Sequence, residues 1–303
     1  MDGKELLYSL RQLLGEDASS GFMDSRTSYR FLWEAAKNFV SRTDCLRTTQ
    51  SITTVASQAG YSLSADFMSL YLRDRDKNYI IKYNDGSTNT FLRQRDYEAV
   101  ITEDNTSAVD LPQSFSIIDA PTLSAQVSGT ASAVGAASGG QCTLTDTSSS
   151  TKFANVEAGD VVHNTTDGSD GFVLSKTDST HLVIALFGGT DNDITSADAY
   201  VIQPQGRLQL VLNPPPSTSS HTVTVYYIQI PAPVFSSYGV YRFQSQWDTA
   251  ILNYAAWLYK YKDRTPELGD KFHQFYELEV RRAVSLYKSS LSSNDFPVSF
   301  RKR

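Results

Sequence analysis

The sequence predicts an α+β protein in which the N- and C-terminal helices form a helical bundle, with a β-rich middle and an inserted all-β domain. Apolar residues recur at helical spacing near both ends of the chain, and between these ends they mostly alternate with a period of two. Inside the β-rich part, residues 121–205 differ from their flanks in composition and charge. We therefore expect one core from residues 1–120 and 206–291, an inserted acidic β-domain at 121–205, and an extended tail at 292–303.

Two helices are predicted at the N-terminal end, at residues 2–15 and 24–42. The first carries five leucines on one stripe, from Leu6 to Leu14, and Gly15 is a suitable stop. Either Asp24 or Ser25 can cap the second helix. Its stripe is made of large side chains, which indicates core packing, and consists of Tyr29, Leu32, Trp33, Ala36, Phe39 and Val40.

Two further helices are predicted at residues 246–262 and 266–291. Thr265 is a suitable N-cap, with Pro266 in the first helical position and Glu267 near the positive helix end. Only a few residues separate the two helices, so we expect an antiparallel pair. The apolar stripe of the last helix is predicted to consist of Leu268, Phe272, Phe275, Tyr276, Val280, Ala283 and Tyr287. The core of the predicted bundle is Trp33, Phe39, Trp247, Leu258, Phe272 and Phe275.

The middle of the chain reads as short strands separated by turns. Before the insert they include 51–55, 68–73 and 79–83, with a turn signal at Asn84-Asp85-Gly86. The insert begins with a Ser-, Thr-, Gly- and Ala-rich stretch and then shows four short apolar runs divided by Gly and Asp. Strand-like residues resume at 208–212 and 223–228. Two β stretches around a segment of different composition imply an inserted domain.

Charge is distributed unevenly along the chain. The net charge is −6, but residues 121–205 hold nine acidic side chains against two lysines. From residue 256 onward there are ten basic and six acidic side chains. The insert is therefore acidic and the C-terminal end mildly basic, at a density too low for a DNA-binding domain by charge alone.

Motifs for catalysis or cofactor binding are weak. The four histidines have no metal-ligand spacing with one another or with cysteine, and no phosphate-binding loop or nucleophile elbow occurs. Cys45 and Cys142 fall in different predicted domains, so we expect free, inert thiols made in a reducing cytoplasm. We expect no enzyme activity, no cofactor and no metal site. The Asp-containing stretches 160–170 and 191–193 have residues that are typical of turns, and calcium binding there stays an open alternative.

Neither a signal peptide nor a membrane-spanning segment is predicted. The first residues are charged and lead into an amphipathic helix. No apolar run approaches the ~18 residues that a spanning helix needs. We therefore expect no membrane partner.

The layout resembles the head–tail adaptor proteins of tailed bacteriophages, which are also called head-completion or connector proteins. The resemblance covers about two-thirds of the chain and rests on four segments: the helix around 29–36, the β entry 53–67, the strand that ends in Tyr226-Tyr227, and the closing helices 250–262 and 266–287. Residues 157–171, with later turns at 188–192 and 197–200, also resemble a small β-module that recurs in phage structural proteins.

The resemblance implies a virion structural protein that forms a ring, usually of twelve copies, under the portal. Such a ring joins the capsid vertex to the tail and lines the DNA passage. Its partners would be further copies of itself, the portal protein, a downstream tail or nozzle protein and, without specific contacts, viral DNA. Location at the virion neck after synthesis in the host bacterial cytoplasm is implied. The segment Ser292–Arg303 would dock on the portal through Phe296, Phe300, Arg301, Lys302 and Arg303.

Two other functions stay open. The chain could be a tail-fibre or other receptor-binding component of the tail, because the insert resembles an appendage module. Fibre proteins usually have β-rich C-termini, however, whereas this chain is predicted to end in helices. It could also be a glycan hydrolase that uses a carboxylate pair, although no pair of defined geometry is visible in the sequence.

Overall fold

The computed structural model describes residues 1–16, 24–71, 81–98, 110–120, 124–262 and 266–288. Four α-helices lie at the two ends of the chain: α1 (Gly3–Leu14), α2 (Ser25–Thr43), α3 (Asp248–Lys262) and α4 (Pro266–Lys288), with a 3-10 turn at Ser245–Trp247 before α3. The strands between them are β1 (Arg47–Thr53), β2 (Gly60–Ser62), β3 (Phe67–Leu70), β4 (Ile81–Asn84), β5 (Asn89–Phe91), β6 (Arg93–Gln94), β7 (Ser114–Asp119), β8 (Val127–Thr130), β9 (Cys142–Thr145), β10 (Val161–Asn164), β11 (Ser169–Lys176), β12 (His181–Phe187), β13 (Ala199–Gln203), β14 (Leu208–Asn213) and β15 (Thr222–Gln229).

The first two helices begin at aspartate caps. Asp2 accepts a hydrogen bond from the Glu5 backbone, and the Glu5 side chain accepts one from the Asp2 backbone, which completes a capping box. Gly15 ends α1 in the left-handed conformation, with φ of 70°. Asp24 caps α2 by accepting a hydrogen bond from the Thr27 backbone. The predicted N-cap of α4, Thr265, lies outside the described residues.

Two sheets pack together behind the helices. The first has the strand order β1-β15-β4-β5, and β3 also pairs with β15 beyond the end of β4. The second has the order β2-β14-β7-β6. Their facing side chains form one buried core, which includes Phe67, Ile81, Phe115, Leu210 and Val225. The first part of the predicted strand at 79–83 lies outside the described residues.

A third sheet, together with its loops, spans residues 124–205, which we call the acidic module. Its order is β8-β13-β10-β11-β12-β9, with every neighbouring pair antiparallel. It has a separate core in which Phe153, Ile184 and Tyr200 are buried. The chain leaves the second sheet after β7 and returns at β14, and these two strands pair with each other from Asp119–Leu208 to Ser114–Asn213.

The prediction of a helical bundle is wrong. More of the described chain lies in strands than in helices, with fifteen strands in three sheets against four α-helices. The helices pack on one another, but their core is completed by residues from β-structure and loops, such as Phe172, Ile228 and Phe235. A helix of 12 or more residues shows its period several times, whereas strands of two to eight residues show theirs only once to a few times. The helical periodicity was therefore easier to recognise in the sequence than the strand periodicity, and the share of β-structure was underestimated.

The acidic module is attached to the helical layer by aromatic and ionic contacts. Phe172 on β11 stacks on Phe235 with ring centroids 4.2 Å apart. Beside it, the Arg26 guanidinium on α2 lies 3.2 Å from the Asp170 carboxylate, whose other oxygen contacts His163 at 2.5 Å. These hydrogen bonds, chiefly the one from His163, hold the pKa of Asp170 below its ordinary value. Arg26 therefore connects α2 to β11 and, through Asp170, to β10.

A second attachment depends on a glycine turn at 138–141. Gly139 has φ of +60°, and its carbonyl accepts a hydrogen bond from the Ser237 backbone at 2.9 Å. A Cβ at position 139 would lie 1.8 Å from the ring of Tyr238. The positive φ therefore favours glycine at this position, and an added Cβ would also force the exposed Tyr238 ring to move.

Candidate interaction surface

The predicted docking tail lies outside the described residues. The described part of α4 ends at Lys288, four residues before Ser292. The roles assigned to Phe296, Phe300, Arg301, Lys302 and Arg303 therefore stay predictions. The described surface that immediately precedes this tail in the chain is α4.

Three of the six predicted bundle-core residues lie where α2 meets the segment 231–247. Phe39 and Trp247 are buried, with ring centroids 5.7 Å apart. Trp33 is half-buried and packs edge-on against Phe235 at 5.5 Å, and its indole Nε1 donates a hydrogen bond to the Pro231 carbonyl. These aromatic residues thus pack against loop residues as well as other helices.

The other three predicted core residues differ in burial. Leu258 on α3 is half-buried, and Phe272 on α4 is half-buried against the helical core. Phe275 retains 57% of its exposure, so its placement in the core was wrong. Because Phe275 lies three residues from Phe272 yet has a different environment, the apolar surface of α4 cannot be a single buried stripe.

The inner side of α4 packs on α2 and α3. Tyr276, Val280 and Ala283 are buried there. The Tyr276 hydroxyl donates a 2.5 Å hydrogen bond to Asn38 on α2. Tyr254–Tyr276 and Trp257–His273 ring contacts, at 4.7 and 4.8 Å, show that α3 and α4 run antiparallel.

An ion pair fixes the same side of α4 to α2. Arg42 donates two hydrogen bonds to the two carboxylate oxygens of Glu277. These bonds hold the pKa of Glu277 below its ordinary value and raise the pKa of Arg42. Such a bidentate pair sets the rotation of α4 about its axis, and this rotation determines which residues face outward.

A second row of residues runs along the outer side of α4, and we call it the outer stripe. Its members are separated by three or four residues, which is the spacing of helix faces that pack against a partner. Its four apolar residues are between 49% and 63% exposed, and its two basic residues are also exposed. The outer stripe consists of Leu268, Lys271, Phe275, Leu278, Arg282 and Leu286.

The sequence prediction merged the inner and outer rows. Leu268 and Phe275 were assigned to the same stripe as Tyr276 and Val280, while Leu278 and Leu286 were not selected. The missed signal was the regular three- and four-residue spacing from Leu268 to Leu286. The surface can hold apolar and acidic groups of a partner, because it alternates apolar side chains with cations.

No catalytic constellation is formed by the histidines. Each has its own neighbours: His163 contacts Asp170, His181 contacts Asp178, His221 contacts Tyr83, and His273 packs against Trp257. Within the described ranges, no group of three or more His, Cys, Asp or Glu side chains is placed to hold a metal ion. The His273 ring is half-buried and lies tilted against the Trp257 indole.

The acidic turns and the cysteines have structural environments. Asp160 is buried and accepts hydrogen bonds from the backbones of Glu157 and Gln205, so it holds the module's own loops together. Both cysteines are free. Burial raises the pKa of the Cys45 thiol and raises that of Cys142 to about 12. Neither thiol has the low pKa of a nucleophilic cysteine.

Comparison with known proteins gives no family assignment. No protein-family model matches the chain, and no curated protein matches it significantly. None of the described helices is both long enough and apolar enough to cross a membrane.

Proposed function

We propose that this chain is a virion structural protein of a tailed bacteriophage, a head–tail adaptor that forms a ring under the portal and joins the capsid vertex to the tail. In this role it acts by binding, without catalysis or a cofactor. The ring is formed by copies of the chain, usually twelve in the family that it resembles, and it surrounds the path of the DNA. The tail 292–303 docks on the portal.

The outer stripe carries the proposal. Four apolar side chains in a row on one helix form the kind of exposed patch that marks a protein–protein contact. Burial of their exposed halves would contribute about 1 kcal/mol each, which is ample for a contact repeated around a ring. The stripe leads directly towards the predicted docking tail in the chain.

The attachment of α4 also supports a role in assembly. A docking helix must be held rigidly, because a flexible one loses conformational entropy when it binds. Here the buried Tyr276 and the pair between Arg42 and Glu277 fix α4 to α2. The outer stripe is therefore a preorganised surface.

Portal binding by the predicted tail can be tested directly. Portal rings of the phage that encodes the chain would be mixed with the full chain, with a variant lacking 292–303, and with Phe296→Ser/Phe300→Ser. We expect the two tail variants to lose capture on the portal in a sedimentation assay, because apolar anchors carry most interface energy. A Ser292→Ala/Ser293→Ala variant is the matched control and should bind normally. Undiminished capture of the deletion variant would refute the docking role.

The number of copies separates the adaptor from a tail-fibre component. The large share of β-structure would suit a fibre as well as an adaptor. Native mass measurement of the portal-bound assembly should give about twelve copies, as in the resembling family, whereas a fibre would give a threefold assembly. Without the portal, the isolated chain should associate only weakly. A stable trimer that ignores the portal would favour the fibre.

A further inference from the structure

One edge of the acidic module carries three carboxylates and an exposed apolar residue on loops that are joined to one another. We call it the acidic edge and define it as Val134, Asp167, Asp191 and Asp193. Backbone hydrogen bonds join its loops, from Gly135 to Ile194 at 2.7 Å and from Thr190 to Asp167 at 3.0 Å. Val134 is 67% exposed, and Asp191 is exposed beside the half-buried Asp193.

The cations of the module are bound elsewhere. Its two lysines are Lys152, which lies 3.5 Å from Asp146, and Lys176, which lies 2.9 Å from Glu157. The nearby Arg26 of α2 is bound to Asp170. None of the ion pairs found in the described chain neutralises Asp167, Asp191 or Asp193.

The negative charges of the carboxylates at this edge repel one another. Partial burial raises the pKa of Asp193, and the negative charges of Asp191, Asp167 and Asp198 raise it further. The Oδ1 atom of Asp193 is also shielded from solvent and has no hydrogen-bond partner in the described structure. A cation from outside the module would therefore bind favourably at this edge.

The outer stripe presents the opposite charge. Lys271 and Arg282 lie between its apolar residues, and of these two Arg282 bonds to Glu279 on the same helix at 2.6 Å. Pairing two copies of α4 through the stripe in antiparallel register would bring Lys271 of one copy near Arg282 of the other. Like charges in a helix–helix seam oppose such a pair, so a symmetric contact between two α4 helices is disfavoured.

We propose that the outer stripe of one copy binds the acidic edge of a second copy. Lys271 and Arg282 would meet Asp191 and Asp193, while the apolar residues of the stripe cover Val134. The proposal rests on the adaptor function, for which it names the contact between neighbouring copies.

The two surfaces belong to different elements of the chain, the outer stripe to α4 and the acidic edge to loops of the acidic module. A ring needs a head-to-tail contact between two unlike surfaces, because a contact between like surfaces closes at a dimer. The inner side of α4 packs on α2 and α3, whereas the module is attached to the helical layer through Arg26, Phe172 and the turn at Gly139. Each copy therefore offers one surface of each kind.

Charge reversal tests the pairing. Self-association would be measured by sedimentation velocity over a range of protein concentrations, at low and high salt. The stripe variant is Lys271→Glu/Arg282→Glu and the edge variant is Asp191→Lys/Asp193→Lys. A third variant combines all four changes. The matched control, Arg30→Glu/Arg93→Glu, reverses two exposed cations that belong to neither surface. Thermal melting of each variant checks its folding.

We expect each double variant to weaken association at least about tenfold, and the fourfold variant to recover to within about threefold of the natural chain. The control should associate normally. Association that is insensitive to either reversal, failure of the fourfold variant to recover, or no association of the natural chain would overturn the pairing. Portal capture, measured separately, tests the adaptor function. If the chain binds the portal but its self-association does not respond to charge reversal, the pairing is overturned and the adaptor function stands. If self-association responds to charge reversal but the chain does not bind the portal, the adaptor function is overturned and the pairing stands.

Discussion

Two adjacent residues of α4 should respond in opposite ways to truncation. Phe275 lies on the outer stripe with 57% of its surface exposed, whereas Tyr276 is fully buried on the inner side. We expect Phe275→Ala to lower the free energy of unfolding by only about 1 kcal/mol and to weaken association between copies. We expect Tyr276→Ala to lower the free energy of unfolding strongly.

The magnitudes follow from burial. Full burial of a phenylalanine is worth about 2–3 kcal/mol, so the buried part of Phe275 contributes about 1 kcal/mol. Truncation of a fully buried aromatic residue costs about 3–5 kcal/mol, because a cavity remains. Tyr276 also donates its hydrogen bond to Asn38, which adds about 1 kcal/mol. The two substitutions should therefore differ by at least about 3 kcal/mol.

Urea unfolding followed by tryptophan fluorescence can measure this difference. Trp247 and Trp257 both belong to the helical layer, so the signal reports on the part of the molecule that contains α4. Tyr276→Phe is a useful control, because it keeps the ring and loses only the hydroxyl; it should cost about 1 kcal/mol. Equal destabilisation by Phe275→Ala and Tyr276→Ala would refute the division of α4 into inner and outer rows.

Three further predictions concern the acidic module. Gly139→Ala should lower the melting temperature by more than Gly188→Ala, because both positions have positive φ but only a Cβ at 139 would meet a tyrosine ring. Equal decreases in the melting temperatures of the two variants would contradict the contact with the ring. Because the pKa of Asp170 is lowered in the folded protein, its carboxylate stabilises the fold above the ordinary carboxyl pKa, and this contribution is lost as the pH falls through the folded pKa. Asp170→Asn should therefore flatten the pH dependence of the free energy of unfolding below about pH 4. An unchanged pH profile would count against the bonds of Asp170 with Arg26 and His163. The Cys142 thiol, with its pKa raised to about 12, should react with a thiol reagent at pH 8 only after unfolding; rapid reaction of the native protein would show that it is accessible.

Local features of the helices could be predicted from the sequence. The α1 and α2 boundaries lie within one residue of those predicted, because Asp24, Gly15 and the apolar period are local signals. The wide apolar surface of α4 was also visible. Its division into a buried and an exposed row was not, because that depends on which side α2 and α3 cover.

The candidate interaction surface was found only in part. Phe275 was selected from the sequence, but for the core rather than for the surface. The acidity of residues 121–205 was evident, yet the grouping of Asp167 with Asp191 depends on the hydrogen bonds of the loop at Thr190. Residues far apart in sequence share an edge only once the sheet order is known.

The sequence by itself determined where the chain is helical and β-like, where its charge lies, that Gly15 ends the first helix, and that Asp24 or Ser25 caps the second. These properties depend on neighbouring residues, because hydrophobic period and capping act over one or two turns. Only the tertiary structure decided that the described part of the chain has more strand than helix, that loop and strand residues complete the helical core, and that Phe275 faces outward while Tyr276 is buried. Burial depends on which distant segments pack together, and short strands gain their stability from such partners rather than from their own sequence.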